Sequence, residues 1–468
     1  MMKNALNVLL LLLASGLVHA QDRLPNIVLL VGDDHGYNYF GFMGDENVVT
    51  PTMDAIAEGG FVFTQGHTAT PYCRPSLRTL ITGLHPVQYA HQKNASVERR
   101  RARDNVEAMG DTERAQWEAV AAADAMSEIH ALPRRLQELG YASWEGGKWW
   151  ERSYKNAGFT EGMTDGWDFS YWGKEGWFYQ LWGAEGEDLV RKTMDPLFDF
   201  IDRHKEQPFL VWFGPALPHV PLDAPYQYTK FYEHKNLSNS AKAYYANITW
   251  WDDGVSRLMD HIQSRGLLED TLFIYMSDNG WDQEPQDEFQ ADPGAEYNDV
   301  PYGSGGFKGK GALYDTSFRS PIIFYWNGRI SGSFNTTSLV TAMDIVPTVL
   351  DIVGLPIPDE LPGKSLWTAL QGGMLDERTE IVGYSDRSRD DDPATLFSRM
   401  EDGFYVRTQR WHFMWYPERQ VMELYDVTVD PRSTNNVVED FPELIPGFMG
   451  LIADWRREMD LESTVRMD

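Results

Sequence analysis

Two short stretches place hard oxygen donors side by side: Asp33-Asp34 and, far along the chain, Asp278-Asn279. Carboxylate and amide oxygens without sulfur suit a calcium or magnesium ion. An adjacent acid pair taken alone is more often a helix cap or a turn; two such clusters, each after an apolar run, strengthen the metal reading. Cys73 is the sole cysteine, so neither an intramolecular disulfide nor a cysteine-based zinc site is available. It opens the stretch Cys73-Arg74-Pro75-Ser76-Leu77-Arg78-Thr79-Leu80-Ile81-Thr82-Gly83. Pro75 suits the first turn of a helix and Gly83 its end. A cysteine at a helix N-terminus faces N–H groups that favour an anion. The competing reading is a small buried hydrophobe. His219, between Pro218 and Val220-Pro221, offers a proton carrier or a structural histidine.

These groups must be held by a scaffold, and the apolar pattern indicates which. Continuous apolar runs occur at Asn26–Val31, Pro208–Phe213, Thr271–Met276 and Pro321–Trp326. Such runs suit strands buried on both faces. Helical patterns lie between them, at about 51–58, 131–139, 193–205 and 241–265. The alternation predicts an α/β fold with a large mixed, mostly parallel sheet flanked by helices. Ligands of such sheets bind at the carboxyl ends of the strands. The polar clusters at Asp33-Asp34, His219 and Asp278-Asn279 each follow an apolar run, so they are expected there together. Residues 92–127 are polar and read as a helical insertion into a catalytic unit spanning 21–380. After residue 380 the alternation stops; short strands at 404–407 and 410–415 and a helix at 442–457 predict a smaller C-terminal α+β subdomain over 381–468.

Composition narrows the function classes. The 468 residues carry 70 acids against 41 Lys and Arg, a formal charge of −29, which argues against a nucleic-acid surface. A local cationic pocket is compatible with that excess. Lys3, a Leu-rich core and Val18-His19-Ala20 form a secretory signal over 1–20, predicting a periplasmic or secreted protein. No other run is long enough to span a membrane.

In motif content and order the chain resembles the type I sulfatases of the alkaline phosphatase superfamily. The matching residues are Asp33-Asp34, Cys73 to Gly83, Gly147-Lys148-Trp149, Pro218-His219-Val220-Pro221, Ser277-Asp278-Asn279-Gly280, and Lys310 to Pro321 with Asp315 and Arg319. Leu424-Tyr425-Asp426, Asp430-Pro431 and Asn435-Asn436 resemble the family's closing subdomain. The resemblance implies the fold of that superfamily and a role for each residue. Cys73 would be oxidised to formylglycine by a formylglycine-generating enzyme. One oxygen of the aldehyde hydrate would attack sulfur, and the other would expel sulfate. Asp33, Asp34, Asp278 and Asn279, with the modified Cys73, would hold calcium, magnesium being the alternative. Lys148 and Lys310 would neutralise the sulfuryl group, and His219 with Lys310 would protonate the leaving oxygen.

Two positions depart from the family pattern. Leu77 stands where the family has arginine. Arg78, about 100° further round a helix, is the candidate catalytic guanidinium, with Arg74 as a second. Trp150 stands where the family has histidine, and His35, His67, His85 and His91 are the candidates to replace it. The resemblance implies hydrolysis of sulfate esters, with a sulfated oligo- or polysaccharide as substrate. The alternatives are a phosphodiester or phosphonate monoester hydrolase and an inactive anion-binding relative. The aromatic segment Trp167–Trp182 reads as sugar-stacking or as core; Arg99–Arg103 reads as an anion contact or as a solvated helix face.

Overall fold

The computed structural model describes residues 24–281, 308–385 and 403–459. The signal expected at 1–20 lies outside them. The strands are β1 (Asn26–Gly32), β2 (Phe61–Phe63), β3 (Gly66–His67), β4 (Ala142–Gly147), β5 (Glu161–Gly162), β6 (Phe209–Gly214) and β7 (Thr271–Ser277). They continue as β8 (Ile322–Trp326), β9 (Ser333–Asn335), β10 (Val340–Thr341), β11 (Glu380–Ser385), β12 (Gly403–Thr408), β13 (Trp411–Tyr416) and β14 (Val421–Asp426). Eight of them form the main sheet in the order β5-β4-β6-β1-β7-β8-β2-β9. Only β8 runs antiparallel to its neighbours β7 and β2. This is the mixed, mostly parallel sheet that the apolar runs predict.

The run Asn26–Val31 is continuous because both faces of β1 are covered. Ile27, Leu29 and Val31 enter one apolar cluster, while Val28 and Leu30 enter the other. Period-two alternation therefore exists, but each face meets a core of its own. Helices supply the covering layers: α1 (Pro51–Gly59), α2 (Cys73–Thr82), α3 (Pro86–Arg103), α4 (Asp111–Asp124), α5 (Trp177–Trp182), α6 (Asp195–His204), α7 (Asn239–Ser264) and α8 (Ile345–Ile352). In α6, Leu197, Phe200 and Ile201 lie at helical spacing and are the buried residues. The polar segment 92–127 folds largely as α3 and α4.

A separate antiparallel sheet, β11-β12-β13-β14, follows in the C-terminal part. The helix α9 (Ile445–Glu458) covers one face, with Phe448 stacked on Phe413 at 5.1 Å. The other side meets the main body through Tyr405 against Phe318 at 4.3 Å. Arg407 of β12 reaches across, its Nε 2.7 Å from Asp315, which also lies 2.9 Å from His67. All three side chains are buried.

Candidate active site

Strand register brings distant acids together. β1 pairs with β7 so that Gly32 lies opposite Ser277. The residues that follow, Asp33-Asp34 and Asp278-Asn279, therefore leave the sheet side by side. β4 pairs with β6 with Gly147 opposite Gly214, and Lys148 emerges next to them. Gly147 is required there: its φ is +105°, and a Cβ would lie 1.8 Å from the Gly214 carbonyl oxygen. Asp34 also takes positive φ, 63°, unusual for a residue with a side chain. The conformation is held by its N–H donating to Asp278 Oδ1 at 3.0 Å and by Tyr244, whose hydroxyl donates to the Asp34 carbonyl at 2.7 Å. Cys73 arrives as the first residue of α2.

Asp33, Asp34, Cys73 and His219 offer ligand atoms within 4.8 Å of one another, all buried. Lys148 Nζ lies 2.7 and 2.9 Å from the two oxygens of Asp33. Lys310 Nζ lies 2.8 Å from Asp34 Oδ1. Asn279 donates Nδ2–H to Asp34 Oδ1 at 2.7 Å, and His219 Nε2 stands 3.6 Å from Asp34 Oδ2. The structure thus gathers Asp33, Asp34, Cys73, Lys148, His219, Asp278, Asn279 and Lys310 in one place.

Electrostatics follow from that crowding. Burial alone would raise the Asp34 carboxyl, but Lys310, His219 and Lys148 outweigh it and hold the group well below the usual carboxylate range. Asp278 goes the other way, pushed far up by burial and by the charges of Asp33 and Asp34. Burial keeps the Cys73 thiol high, with Lys148 and Lys310 only partly offsetting it. Burial, then Lys148, lowers His219 to about 4. Its Nδ1 is 2.7 Å from the Val220 carbonyl, which can only accept, so the hydrogen sits on Nδ1 and Nε2 faces the cluster.

The donor set fits a hard divalent cation. Asp278 Oδ2 and Asn279 Oδ1 are buried oxygens with no hydrogen-bond partner among the described residues. Buried acceptors left unpaired are costly, and a cation is what an all-oxygen set would satisfy.

Arg78 is not part of this cluster. Its Nε donates to Glu151 at 2.8 Å, and its guanidinium covers the Tyr89 ring at 4.6 Å. Arg74 binds the same carboxylate at 2.9 Å. The two arginines, one helical turn apart on α2, hold Glu151 at about 2 against its burial. Leu77 itself is buried in the apolar core. None of the histidine candidates replaces the one missing at Trp150. His35 stacks on Phe40 at 3.8 Å, His67 binds Asp315, His85 caps α3, and His91 is exposed. Trp150 is buried with no hydrogen-bond partner for its Nε1 among the described residues.

Glu151 and Tyr244 were not singled out from sequence, and Trp182 only as the end of the aromatic segment. Trp182 packs edge-on against His219 at 5.0 Å and lies 5.6 Å under Lys148. A signal for Glu151 existed: Arg74 and Arg78 at i and i+4 beside a helix start that must be buried call for a carboxylate. Arg99, Arg101 and Arg103 pair with Glu128, Glu118 and Asp104, as a solvated face does.

Comparison with known proteins agrees with this geometry. Residues 25–355 match the sulfatase family model, and 303–445 match the C-terminal model of N-sulphoglucosamine sulphohydrolase. The chain belongs to the sulfatase family. As such it is a sulfuric ester hydrolase. Among curated relatives, the N-acetylgalactosamine-6-sulfatase of Canis lupus familiaris is 26% identical over 86% of this chain and 76% of its own length. An arylsulfatase of Clostridium perfringens is 24% identical over 90% of this chain and 92% of its own. A solved protein in complex with its substrate D-glucosamine-2-N,6-O-disulfate superposes with a TM-score of 0.64 at 15% identity, covering 94% of this chain and 99% of that one. The phosphonate monoester hydrolase of Agrobacterium radiobacter superposes at 0.62 and 17%, covering 93% and 96%. These likenesses establish the shared fold of this sulfatase. Among the described residues no helix is long and apolar enough to cross a membrane.

Proposed function

We propose that this sulfatase removes sulfate from a sulfated oligo- or polysaccharide, using formylglycine made from Cys73 and a bound calcium ion. The observation that carries the reading is the meeting of Asp33, Asp34, Cys73 and His219 within 4.8 Å, flanked by Lys148 and Lys310. Asp33, Asp34, Asp278 and Asn279 would hold the calcium, which supplies charge stabilisation at a sulfate oxygen. Formylglycine at position 73 supplies, as its hydrate, the nucleophile toward sulfur; a thiol kept protonated by burial is a poor one.

The remaining work falls to side chains of this chain. Lys148 and Lys310 place ammonium groups where a sulfuryl group enters, offsetting its negative charge in a buried setting. His219 presents Nε2 to the leaving oxygen. With its pKa near 4 the resting imidazole is neutral, so Lys310 is the charged donor beside it. Trp182 and Trp150 lie 5.6 and 5.9 Å from the Lys148 ammonium and shield it from water. A sulfated sugar is supported by the relative named as an N-acetylgalactosamine-6-sulfatase and by the neighbour solved with a disulfated glucosamine. The signal sequence at 1–20 supports export to the periplasm or beyond, and a formylglycine-generating enzyme would act before or during transit.

The test is peptide mass spectrometry across Cys73 after coexpression with a formylglycine-generating enzyme, paired with sulfate release by the mature chain and by Cys73→Ala. The aldehyde form and activity lost in Cys73→Ala are expected. Only thiol in an active enzyme, or aryl phosphodiester or phosphonate turnover exceeding aryl sulfate turnover, would overturn the reading.

A further inference from the structure

A cavity of about 490 Å³ opens between α3, α4 and the aromatic segment that leads into α5. Its wall includes Trp167, Trp172 and Trp177 together with Lys93, Asn94 and Arg74. The volume falls within the usual range of small-molecule sites, about 300–1,000 Å³. The tryptophans pack edge to face: Trp172 meets Trp177 at 4.6 Å and 64°, and Trp167 meets Trp177 at 5.9 Å and 71°, so the rings brace one another. Trp172 is only partly buried, whereas Lys93 is buried at the cavity wall.

Two wall residues neighbour the reaction centre along the chain. Arg74 is the residue after Cys73, and Leu181 precedes Trp182, which packs on His219. The far wall is braced rather than loose. Arg101 joins α3 to Glu118 of α4 at 3.2 Å, and Arg152 ties Asp124 at the end of α4 to the loop after Lys148 at 2.6 Å.

We propose that this cavity is a glycan subsite: it receives a pyranose of a sulfated oligosaccharide beyond the sugar whose sulfate is removed, stacked on the tryptophans with Lys93 and Asn94 at its polar edge. The inference rests on the sulfated-glycan reading above and adds that the substrate is a chain longer than one sugar. The wall chemistry favours this occupant. Sugar rings present C–H faces to flat aromatics, and hydroxyls that both donate and accept at their edges. Here the wall offers indole faces beside an ammonium, an amide and the carboxylates of Glu98 and Glu118. A lipid tail would meet those charges.

The test compares hexasaccharides with disaccharides of chondroitin 6-sulfate and of ι-carrageenan, bound to the full chain carrying Cys73→Ala, by calorimetry and tryptophan fluorescence. For at least one series the hexasaccharide should bind at least about tenfold more tightly than its disaccharide. Adding Trp172→Ala or the surface change Asn94→Ala should erode that advantage while disaccharide binding holds. Equal affinity for both lengths in both series, absence of binding, or variants that weaken both lengths alike would overturn the subsite. The sulfatase reading is checked separately by sulfate release from the same disaccharides and from 4-nitrophenyl sulfate by the mature wild-type chain. Release without a length advantage rejects the subsite alone; no release from any of them with the aldehyde in place rejects the broader reading.

Discussion

Lys148 holds both carboxylate oxygens of Asp33, at 2.7 and 2.9 Å, with both side chains buried. Removing one member of a buried pair leaves the other charge without compensation, at about 3–5 kcal/mol. Lys148→Ala should therefore lower the unfolding midpoint as well as reduce sulfate release by about 10²–10³-fold. Added calcium should recover part of the stability but not the turnover, since it can neutralise Asp33 without replacing an ammonium at the substrate. Thermal melts and sulfate-release kinetics with and without calcium check both halves.

Asp278 Oδ2 and Asn279 Oδ1 are buried without partners, so a cation that satisfies them should bind the folded state selectively. At a hundred times its dissociation constant, such a ligand stabilises by about 2.7 kcal/mol. Calcium should raise the melting temperature, and a chelator should lower it. Asp278→Ala should abolish the calcium-dependent shift. A shift of unchanged size in that variant would remove Asp278 from the ligand set.

Glu151 serves two buried guanidiniums at once. Glu151→Ala strands both and should cost about 3–5 kcal/mol by denaturant titration. Arg78→Met should cost clearly less, because Arg74 still answers the carboxylate. A larger loss from Arg78→Met would mean that Arg78 acts outside this clamp.

Glu145 gives a pH signature. It is buried beside Thr164, and burial raises its pKa to about 8. Thr164 Oγ1 lies 3.2 Å from Glu145 Oε1 and 3.0 Å from the Gly183 carbonyl, yet has one hydrogen to give. A protonated Glu145 donating to Thr164, which donates to Gly183, satisfies all three. Because the folded pKa lies above the unfolded one, the native state binds more protons, and this group's contribution falls as pH rises from about 4.5 through 8. Glu145→Gln, with an amide in the donor position, should remove that decline. Melting temperatures at pH 5 and 8.5 should then differ less in the variant than in the wild type.

The long central strands were legible because burial on both faces writes an unbroken apolar run, as in β1 and β7. β4 was not. Its sequence, Ala142-Ser143-Trp144-Glu145-Gly146-Gly147, contains an acid and two glycines, which argue against a strand. Tertiary context explains both: Glu145 is sealed against Thr164, and Gly147 must approach Gly214. In the site, residues that end strands in sequence order were readable, because the sheet converts order into proximity. Arg78 was not, since one step along a helix turns a side chain away, and only the position of Glu151 reveals where it goes. Asn94 and Trp172 line one cavity only through packing of two separate segments, which no local pattern records.

The burial of Cys73 at the first turn of α2 also sets a clock. In the finished fold its sulfur is enclosed by Asp34, the lysines and the sheet ends, with 6% of the residue exposed. On the proposed reading, an enzyme that converts this side chain would have to reach it before the fold closes over it. Conversion and folding would then compete for the same chain, and the faster would decide what fraction of molecules keeps a sealed thiol.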